Sequence, residues 1–309
     1  FKIHISKECG NPPPDRLPRN NVTEHSSAKA GDDDKLASSL HKIVECDPTL
    51  SCTRNTETQE MLLSGMGAQH LGIAIKRLKE SYKVEADTAT PKIAYRETIS
   101  GSGEAMYRHK KQTGGAGQFA EVHLRVAYQE GPFVFENAVV GGNIPKNFIP
   151  AVEKGVQEML EKGPLVGCKV ENVKVTVFDG KYHSVDSNEM AFKIASRMAF
   201  KEAVAKAHPI VLEPVMSVKI YIPNEYMGDI SGDLNHKRGR IIGMESEEGV
   251  QLVIAEVPQA EMYKYATELR SMTQGRGSFQ MELARYEPLP ANLASELIRQ
   301  YAAENGDNE

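Results

Sequence analysis

Several stretches of the sequence hold residue types that could do chemistry. His183 and Asp186 share the segment Asp179–Ser187 with Ser184 and Ser187. Serine, histidine and carboxylate are the parts of a nucleophilic triad, but no nucleophile elbow of the G-x-S-x-G kind surrounds them. Thr113–Gln118 reads TGGAGQ and has the glycines of a phosphate loop without its Lys-Ser/Thr ending. Thr273–Ser278 reads TQGRGS and follows a helical pattern, whereas a Rossmann turn precedes its helix. It reads as a glycine turn feeding the last strand. His41, Cys46 and Cys52 are near in sequence, but no second pair completes a tetrahedral metal set. No catalytic, cofactor-binding or metal-binding residue is therefore assigned to this chain.

The stronger signal is electrostatic. Residues 106–118, MYRHKKQTGGAGQ, carry Arg108, Lys110 and Lys111 with no acidic residue, together with His109 and glycines. A cationic loop in an otherwise acidic protein suits a phosphate backbone, although an ordinary solvated hairpin end has the same composition. Asp179–Ser187, DGKYHSVDS, adds Lys181, Tyr182 and His183. Tyr and His can stack on exposed bases or hydrogen-bond to an RNA backbone. If both loops leave the same end of one unit, they form a single tip. His236, Lys237, Arg238 and Arg240 make a third patch just beyond a helix. It could face RNA or an acidic partner, or simply complement the helix C-terminus. Several such patches on separate small units suit docking to a large ribonucleoprotein.

The elements that position these segments are readable from periodicity. Leu36, Leu40, Ile43 and Val44 recur at helical spacing, and Asp32, Asp33 and Asp34 sit where the helix dipole favours acid. That helix is expected to end before Asp47-Pro48. Strand-like runs follow at Thr49–Arg54 and Glu60–Ser64, then a helix with Leu71, Ile75 and Leu78 on one face, then a strand near Tyr82–Ala86. This first unit covers residues 31–91. FKIHISKECG at the start could open as a short strand, while NPPPDRLPRNNVTEHSSAKA after it is rich in Pro, Asn and Ser with no apolar period, and residues 1–30 read as a linker, a discontinuous segment or sequence foreign to the protein.

A second unit covers residues 92–212, with strands expected at Ile93–Ile99, Phe119–Ala127, Phe133–Val139 and Val170–Phe178 and helices at Ile149–Leu160 and Asn188–Ala207. Met190, Ile194 and Met198 supply the expected core stripe of the last helix. A third unit, residues 213–309, reads strand Met216–Ile222, helix Asn224–Asn235, strands Gly239–Ser246 and Val250–Val257, helix Ala260–Leu269 and strand Gly277–Arg285. That is the β-α-β-β-α-β order of the split βαβ fold. A closing helix, Leu293–Tyr301, and a solvated acidic tail complete an α+β chain.

Composition agrees. The 309 residues, 40% hydrophobic and 26% charged, suit a soluble protein of two or three domains. A net charge of -5 excludes a basic coat for nucleic acid but not local basic patches. No apolar stretch approaches the roughly 18 residues that cross a membrane, and nothing at the start reads as a secretory signal. A reducing compartment, the cytoplasm, is expected, with Cys9, Cys46, Cys52 and Cys168 as free thiols.

A family likeness is carried by LLSGMGAQHL (Leu62–Leu71), PKIAYRETI (Pro91–Ile99), HKKQTGGAGQFAEV (His109–Val122), DGKYHSVDSNEMAFKIA (Asp179–Ala195), EYMGDISGDLNHKRGRIIGM (Glu225–Met244) and YATELRSMTQGRGSF (Tyr265–Phe279). With these runs in this order, the chain resembles the C-terminal half of bacterial translation elongation factor G, its domains III, IV and V. The resemblance implies ferredoxin-like first and third units and a middle unit similar to ribosomal protein S5 domain 2, with a left-handed crossover. It implies a ribosome-dependent GTPase as the parent protein, with GTP and magnesium bound by an N-terminal GTPase domain outside this sequence. This chain alone would neither bind nor hydrolyse GTP. The implied partners are both ribosomal subunits, ribosomal RNA, tRNA and mRNA in the decoding region, and that GTPase domain. A monomer is expected, with no membrane contact. The matched runs add Gly114, Gly115, Gln118, Asp186 and Arg276 to the cationic and aromatic residues above as RNA or ribosome contacts.

The chain also departs from the family pattern. Ala116 stands where the family usually has Arg, and Ala68, Gln69 and Gly72 alter its GMGELHLE motif. These changes remove a cation and two acids and place a helix-weakening glycine. They leave room for a paralogue serving ribosome recycling or another ribosome-bound task. A ribosome-protection protein is a further alternative, although the tip sequence YHSVDS stays close to the translocase form.

Overall fold

The structure, a computed structural model, describes residues 2–3, 22–27, 33–55, 58, 60–111, 117–247 and 249–305. Contacts divide the chain into two units: residues 1–94 with 213–287, and residues 95–212 with 288–309.

The first segment runs β1 (Lys2–Ile3), β2 (Val22–Ser27), α1 (Asp33–Cys46), β3 (Ser51–Arg54), β4 (Met61–Gly65), α2 (Ala68–Tyr82) and β5 (Asp87–Ala89). From β2 onward the element order is β-α-β-β-α-β and the lateral order is β5-β2-β4-β3, a ferredoxin-like arrangement. Strand β2 lies in the stretch read from sequence as a linker. Its VTEHSS run has one apolar residue, so no period announces it. The ladder to β4, from Val22↔Gly65 to His25↔Leu62, makes it a strand. The next difference is at α2, which continues to Tyr82 and delays the last strand. Leu36, Leu40 and Ile43 of α1 and Leu71, Ala74 and Leu78 of α2 are buried with Leu63 of the sheet.

A polar clamp joins the two helices of this segment. Asp47 Oδ1 accepts from the Thr49 hydroxyl (2.5 Å) and amide (3.0 Å), and His70 Nε2 lies 2.9 Å from Asp47 Oδ2. The Met66 amide donates to His70 Nδ1 (3.2 Å), which leaves the ring proton on Nε2, facing the carboxylate. The Thr49 hydroxyl and then His70 hold the Asp47 carboxyl down at about 2.

The second unit contains β6 (Arg96–Ile99), β7 (Ser102–Lys111), β8 (Gln118–Tyr128), β9 (Val134–Asn137), α3 (Ile149–Glu161), β10 (Lys169–Val170), β11 (Val173–Lys181), α4 (Glu189–Lys206) and the start of β12 (Pro209–Pro223). Its main sheet has the order β7-β8-β11-β9, antiparallel except between β11 and β9. The alternating residues Val122, Leu124 and Val126 of β8 share one core with Val152 and Val156 of α3 and Phe192 and Phe200 of α4. Full burial of one such large side chain is worth about 1.5–3 kcal/mol.

The buried stripe of α4 is Ala191, Phe192, Ala195, Ser196, Ala199, Phe200, Ala203 and Val204. The expected stripe was different, and Met190 is 55% exposed. Small residues face inward because neighbouring backbones come very close. A Cβ on Gly155 of α3 would lie 2.1 Å from Ser196 Oγ, and one on Gly103 of β7 would lie 2.2 Å from the Ala203 carbonyl oxygen. Helix α4 is thus gripped from two sides.

The chain then completes β12 and adds α5 (Met227–His236), β13 (Arg240–Glu247), β14 (Val250–Pro258), α6 (Tyr265–Met272) and β15 (Ser278–Pro288). The lateral order is β13-β14-β12-β15, again ferredoxin-like. This segment follows its sequence expectation closely, because Val218, Ile220 and Ile222 alternate on β12 and Val253, Ala255 and Val257 on β14, all buried.

The last helix, α7 (Ala291–Asn305), belongs by its contacts to the second unit, not to the segment it follows in sequence. Leu293, Leu297, Ile298 and Tyr301 pack with Val166 and Val211. Gly167 (φ +67) lies under Tyr301, where an added Cβ would sit 2.4 Å from the phenol oxygen. The loop beneath is pinned by buried Glu97, which accepts the amides of Leu165 (3.0 Å), Val166 (2.9 Å) and Cys168 (3.1 Å). Burial pushes the Glu97 carboxyl up, and these amides act against that shift.

Candidate nucleic-acid interface

The β7–β8 hairpin and the loop after β11 meet at one end of the second unit. The cations expected in a loop lie on a strand. Strand β7 continues to Lys111, and Arg108, His109, Lys110 and Lys111 stand opposite Glu121, Ala120, Phe119 and Gln118. Consecutive residues face opposite sides of the strand, and both Lys110 and Lys111 are exposed, so the apolar alternation that marks a strand stops before its end. His109 Nε2 and Gln118 Oε1 are 2.9 Å apart. Gly114, Gly115 and Ala116 lie outside the described residues.

Hydrogen bonds hold the two segments together. The Gly117 amide donates to Asp186 Oδ1 (3.2 Å) and the Phe119 amide to the Asp186 carbonyl (2.9 Å). The Ser187 hydroxyl donates to the Phe119 carbonyl (2.7 Å) and accepts from the His183 amide (2.8 Å). The amides of Val185 (3.3 Å) and Asp186 (3.2 Å) donate to His183 Nδ1 and lie closer to it than Asp186 Oδ2 (3.4 Å), so the neutral ring carries its proton on Nε2. Serine, histidine and aspartate therefore build a loop here, and the Ser187 hydroxyl is directed at a carbonyl. Asn188 ends the loop by capping α4, its Oδ1 accepting the Ala191 amide (2.8 Å). Tyr182, His183 and Val185 remain exposed.

Behind the tip, Glu121 gathers three basic side chains. Its carboxylate is 2% exposed and meets Arg108 Nε (2.5 Å), His123 Nε2 (3.1 Å) and Lys181 Nζ (3.6 Å). Burial alone would raise the Glu121 carboxyl, but the hydrogen bonds of His123 and Arg108 outweigh it and hold the carboxyl below its usual value. Arg108 and Lys181 are thus partly neutralised. Lys110 and Lys111 are exposed, and no carboxylate among the described residues pairs with either.

The third cationic patch divides. Arg238 grips buried Glu213 through Nη1 (2.7 Å) and Nη2 (3.0 Å), and Glu261 through Nε (3.0 Å). Lys237, 15% exposed, meets Glu268 at 2.6 Å. His236 and Arg240 stay exposed, with Arg240 opposite Glu256. Arg276 meets Glu225 (2.5 Å) and the Tyr226 hydroxyl, and lies 5.0 Å over the Tyr226 ring. Neighbours in sequence therefore do not share a direction. Among the described residues no group of three His, Cys, Asp or Glu could hold a metal ion. Sequence reading placed Gly117 and Ser187 in the two loops and began a helix at Asn188, but singled out none of these residues, nor Glu121, as holding the tip together. Only Asn188, followed by Glu189, carries a local signal, that of a helix start.

Family models match in series along the chain: "Elongation Factor G, domain III" over residues 25–90, "Elongation factor G, domain IV" over residues 91–208 and "Elongation factor G C-terminus" over residues 210–297. The chain belongs to the elongation factor G family. A crystal structure of a protein from Thermus thermophilus is 41% identical with a TM-score of 0.78, the match covering 93% of this chain and 44% of that one. The chain thus spans less than half the length of that relative. In elongation factor G terms, the Asp47–His70 clamp lies in domain III, the tip in domain IV and the Arg238 cluster in the C-terminal domain. No helix among the described residues is long and apolar enough to cross a membrane.

Proposed function

We propose that this chain is the ribosome- and tRNA-contacting part of an elongation factor G-type GTPase, a cytoplasmic monomer that moves tRNA and mRNA by one codon. Domain IV is the arm that enters the decoding-side tRNA site, and the tip meets RNA near the codon–anticodon helix. The C-terminal domain faces large-subunit RNA, and domain III relays nucleotide state from a GTPase domain that binds GTP and magnesium. The observation that carries this reading is the joint tip. Two distant segments are tied by Gly117–Asp186 and Phe119–Ser187, leaving Tyr182, His183 and Val185 outward near Lys110 and Lys111. Such a tip needs no covalent chemistry. Cationic side chains offer attraction to phosphate, aromatic ones offer stacking, and the gripped helix α4 keeps the assembly stiff.

The test is a single-round translocation assay with the intact factor, ribosomes, GTP and a pre-translocation complex. His183→Ala should slow mRNA movement at least about tenfold while leaving ribosome-stimulated GTP hydrolysis within about twofold. Equal loss of both activities would refute the role of the tip. The family departures at Ala68, Gln69, Gly72 and Ala116 favour one other reading, a paralogue for ribosome recycling. Gly72 in particular is exposed, and an added Cβ there would touch nothing, so packing does not require it. GTP hydrolysis without mRNA movement, accompanied by subunit splitting, would select that reading.

A further inference from the structure

We infer that Asp186 is the positioning residue of the tip: it locks the hairpin to the His183 loop and thereby sets the ring nitrogen that His183 offers to RNA. This rests on the tip being an RNA contact, and it moves Asp186 from a residue that touches RNA to one that acts through others. Asp186 reaches both segments at once. Its Oδ1 accepts the Gly117 amide (3.2 Å) and its carbonyl accepts the Phe119 amide (2.9 Å), so residues 117 and 119 of the hairpin are both held by one residue. Its own amide donates to His183 Nδ1 (3.2 Å) beside that of Val185 (3.3 Å). Two donors on Nδ1 exclude a proton there in the neutral ring, which leaves Nε2–H as the free donor. A phosphate or base acceptor then meets a donor already aimed, with less side-chain ordering left to do on binding.

The fit leaves little room for alternatives. A Cβ on Gly117 would stand 2.9 Å from Asp186 Cγ and 3.0 Å from Oδ1, so the carboxylate closes directly on the hairpin backbone. Its side chain is 25% exposed, against 54% for His183. The lock thus faces the protein and the imidazole faces outward. Asp186 Oδ2 also lies 3.4 Å from His183 Nδ1, so residue 186 brings both an acceptor oxygen to Gly117 and a negative charge to the ring, and the two can be separated by substitution. Asparagine keeps that oxygen and alanine does not.

The test uses the full chain labelled with 15N-histidine, the His183 signals being assigned by their absence in His183→Ala. Ring nitrogen shifts report the tautomer, and affinity for ribosomes carrying a pre-translocation tRNA complex is measured on the same proteins. Asp186→Asn should keep the Nε2–H tautomer and wild-type affinity. Asp186→Ala keeps both backbone amides but releases the segment from Gly117, so the amides should drift off Nδ1, the two tautomers should mix and binding should weaken by about tenfold, the scale of one hydrogen bond. Ser187→Ala, which leaves the Asp186 bonds in place, should disturb the tautomer less and keeps the proposal testable if Asp186→Ala unfolds. Loss of affinity in Asp186→Asn with an unchanged tautomer would overturn the proposal in favour of direct contact by the charge. An unmixed tautomer in Asp186→Ala would overturn it as well. If His183→Ala binds normally while Asp186→Ala still mixes the tautomers, the lock stands and the RNA-contact reading of the tip fails instead.

Discussion

Arg238→Met removes the partner of a carboxylate that solvent barely reaches. Glu213 is 6% exposed and is held by both Nη atoms of Arg238, whose Nε holds Glu261. Breaking a buried ion pair from one side costs about 3–5 kcal/mol, because the remaining charge is left without a partner. Arg238 is itself 30% exposed and Glu261 34%, so water offsets part of this loss, and about 2–3 kcal/mol is expected. Methionine keeps most of the apolar stem, and at φ 55 it is no better accommodated than arginine, so the loss reports charge. Glu213→Gln in the same chain removes the stranded charge. The double variant should recover enough to give a coupling of about 1.5–2.5 kcal/mol. Urea denaturation of the four proteins measures it, with ribosome affinity against salt measured in parallel. If Arg238 instead served phosphate binding, Arg238→Met would lose less than about 0.5 kcal/mol of stability and would flatten the salt dependence. That outcome would refute the structural assignment.

Asp47 titrates at about 2 in the folded chain, below its ordinary 3.8. A depressed carboxyl contributes stability above about 3.8 and loses it as pH falls toward about 2, so unfolding free energy should drop across that window. Asp47→Asn should remove that component, and an unchanged pH slope would contradict the clamp. Gly167→Ala should cost about 2 kcal/mol or more, since it combines φ +67 with a Cβ 2.4 Å from the Tyr301 oxygen. Gly72→Ala, by contrast, should stabilise by about 1 kcal/mol in thermal or urea unfolding, since the site is open. Neutralising Lys110 and Lys111 should reduce the log–log salt slope of ribosome binding by about 0.7–0.9 per lost phosphate contact without loss of stability. Arg108→Ala should destabilise, because it strips a partner from Glu121.

The ferredoxin-like segment after β12 was legible because its core is made by strict alternation on central strands, which sequence records directly. Strand β2 was not, because a polar run becomes a strand only through partners far along the chain, such as Leu62 opposite His25. The stripe of α4 was misplaced for a related reason. Hydrophobic size marks the buried face only where there is room, and Gly155 and Gly103 bring backbones so near that alanine and serine must face them. At the tip, the residues that could touch RNA were readable from their types. The residues that hold them were not: Gly117 and Asp186 are 69 positions apart, and nothing local couples them. In the third patch, type misled. Lys237 and Arg238 look like surface cations until their carboxylates at Glu268, Glu213 and Glu261 are placed.

That pairing bears on how an acidic chain could dock on RNA. The outer face of the domain IV sheet carries many cations, but most are matched across strands: Arg108 and Lys181 by Glu121, Arg125 by Glu104 (2.6 Å) and Lys174 by Glu136 (2.9 Å). Matched pairs stiffen a solvated sheet and add little long-range field. Lys110 and Lys111 differ, since they lie beyond the last acid of the ladder, next to the loop that carries His183. Even with Asp186 in that loop, the two lysines leave a local excess of positive charge at the tip of the second unit. A uniformly basic arm would attract phosphate along its whole length and bind RNA in many registers. On the proposed function, a sheet face neutral along its length and positive at its tip would be attracted to RNA end-on. Adding charge to the flank, for example by Glu104→Gln and Glu136→Gln, should accordingly raise ribosome affinity at low salt and slow translocation. An increase in both affinity and translocation rate would show that end-on attraction is not what the charge pattern provides.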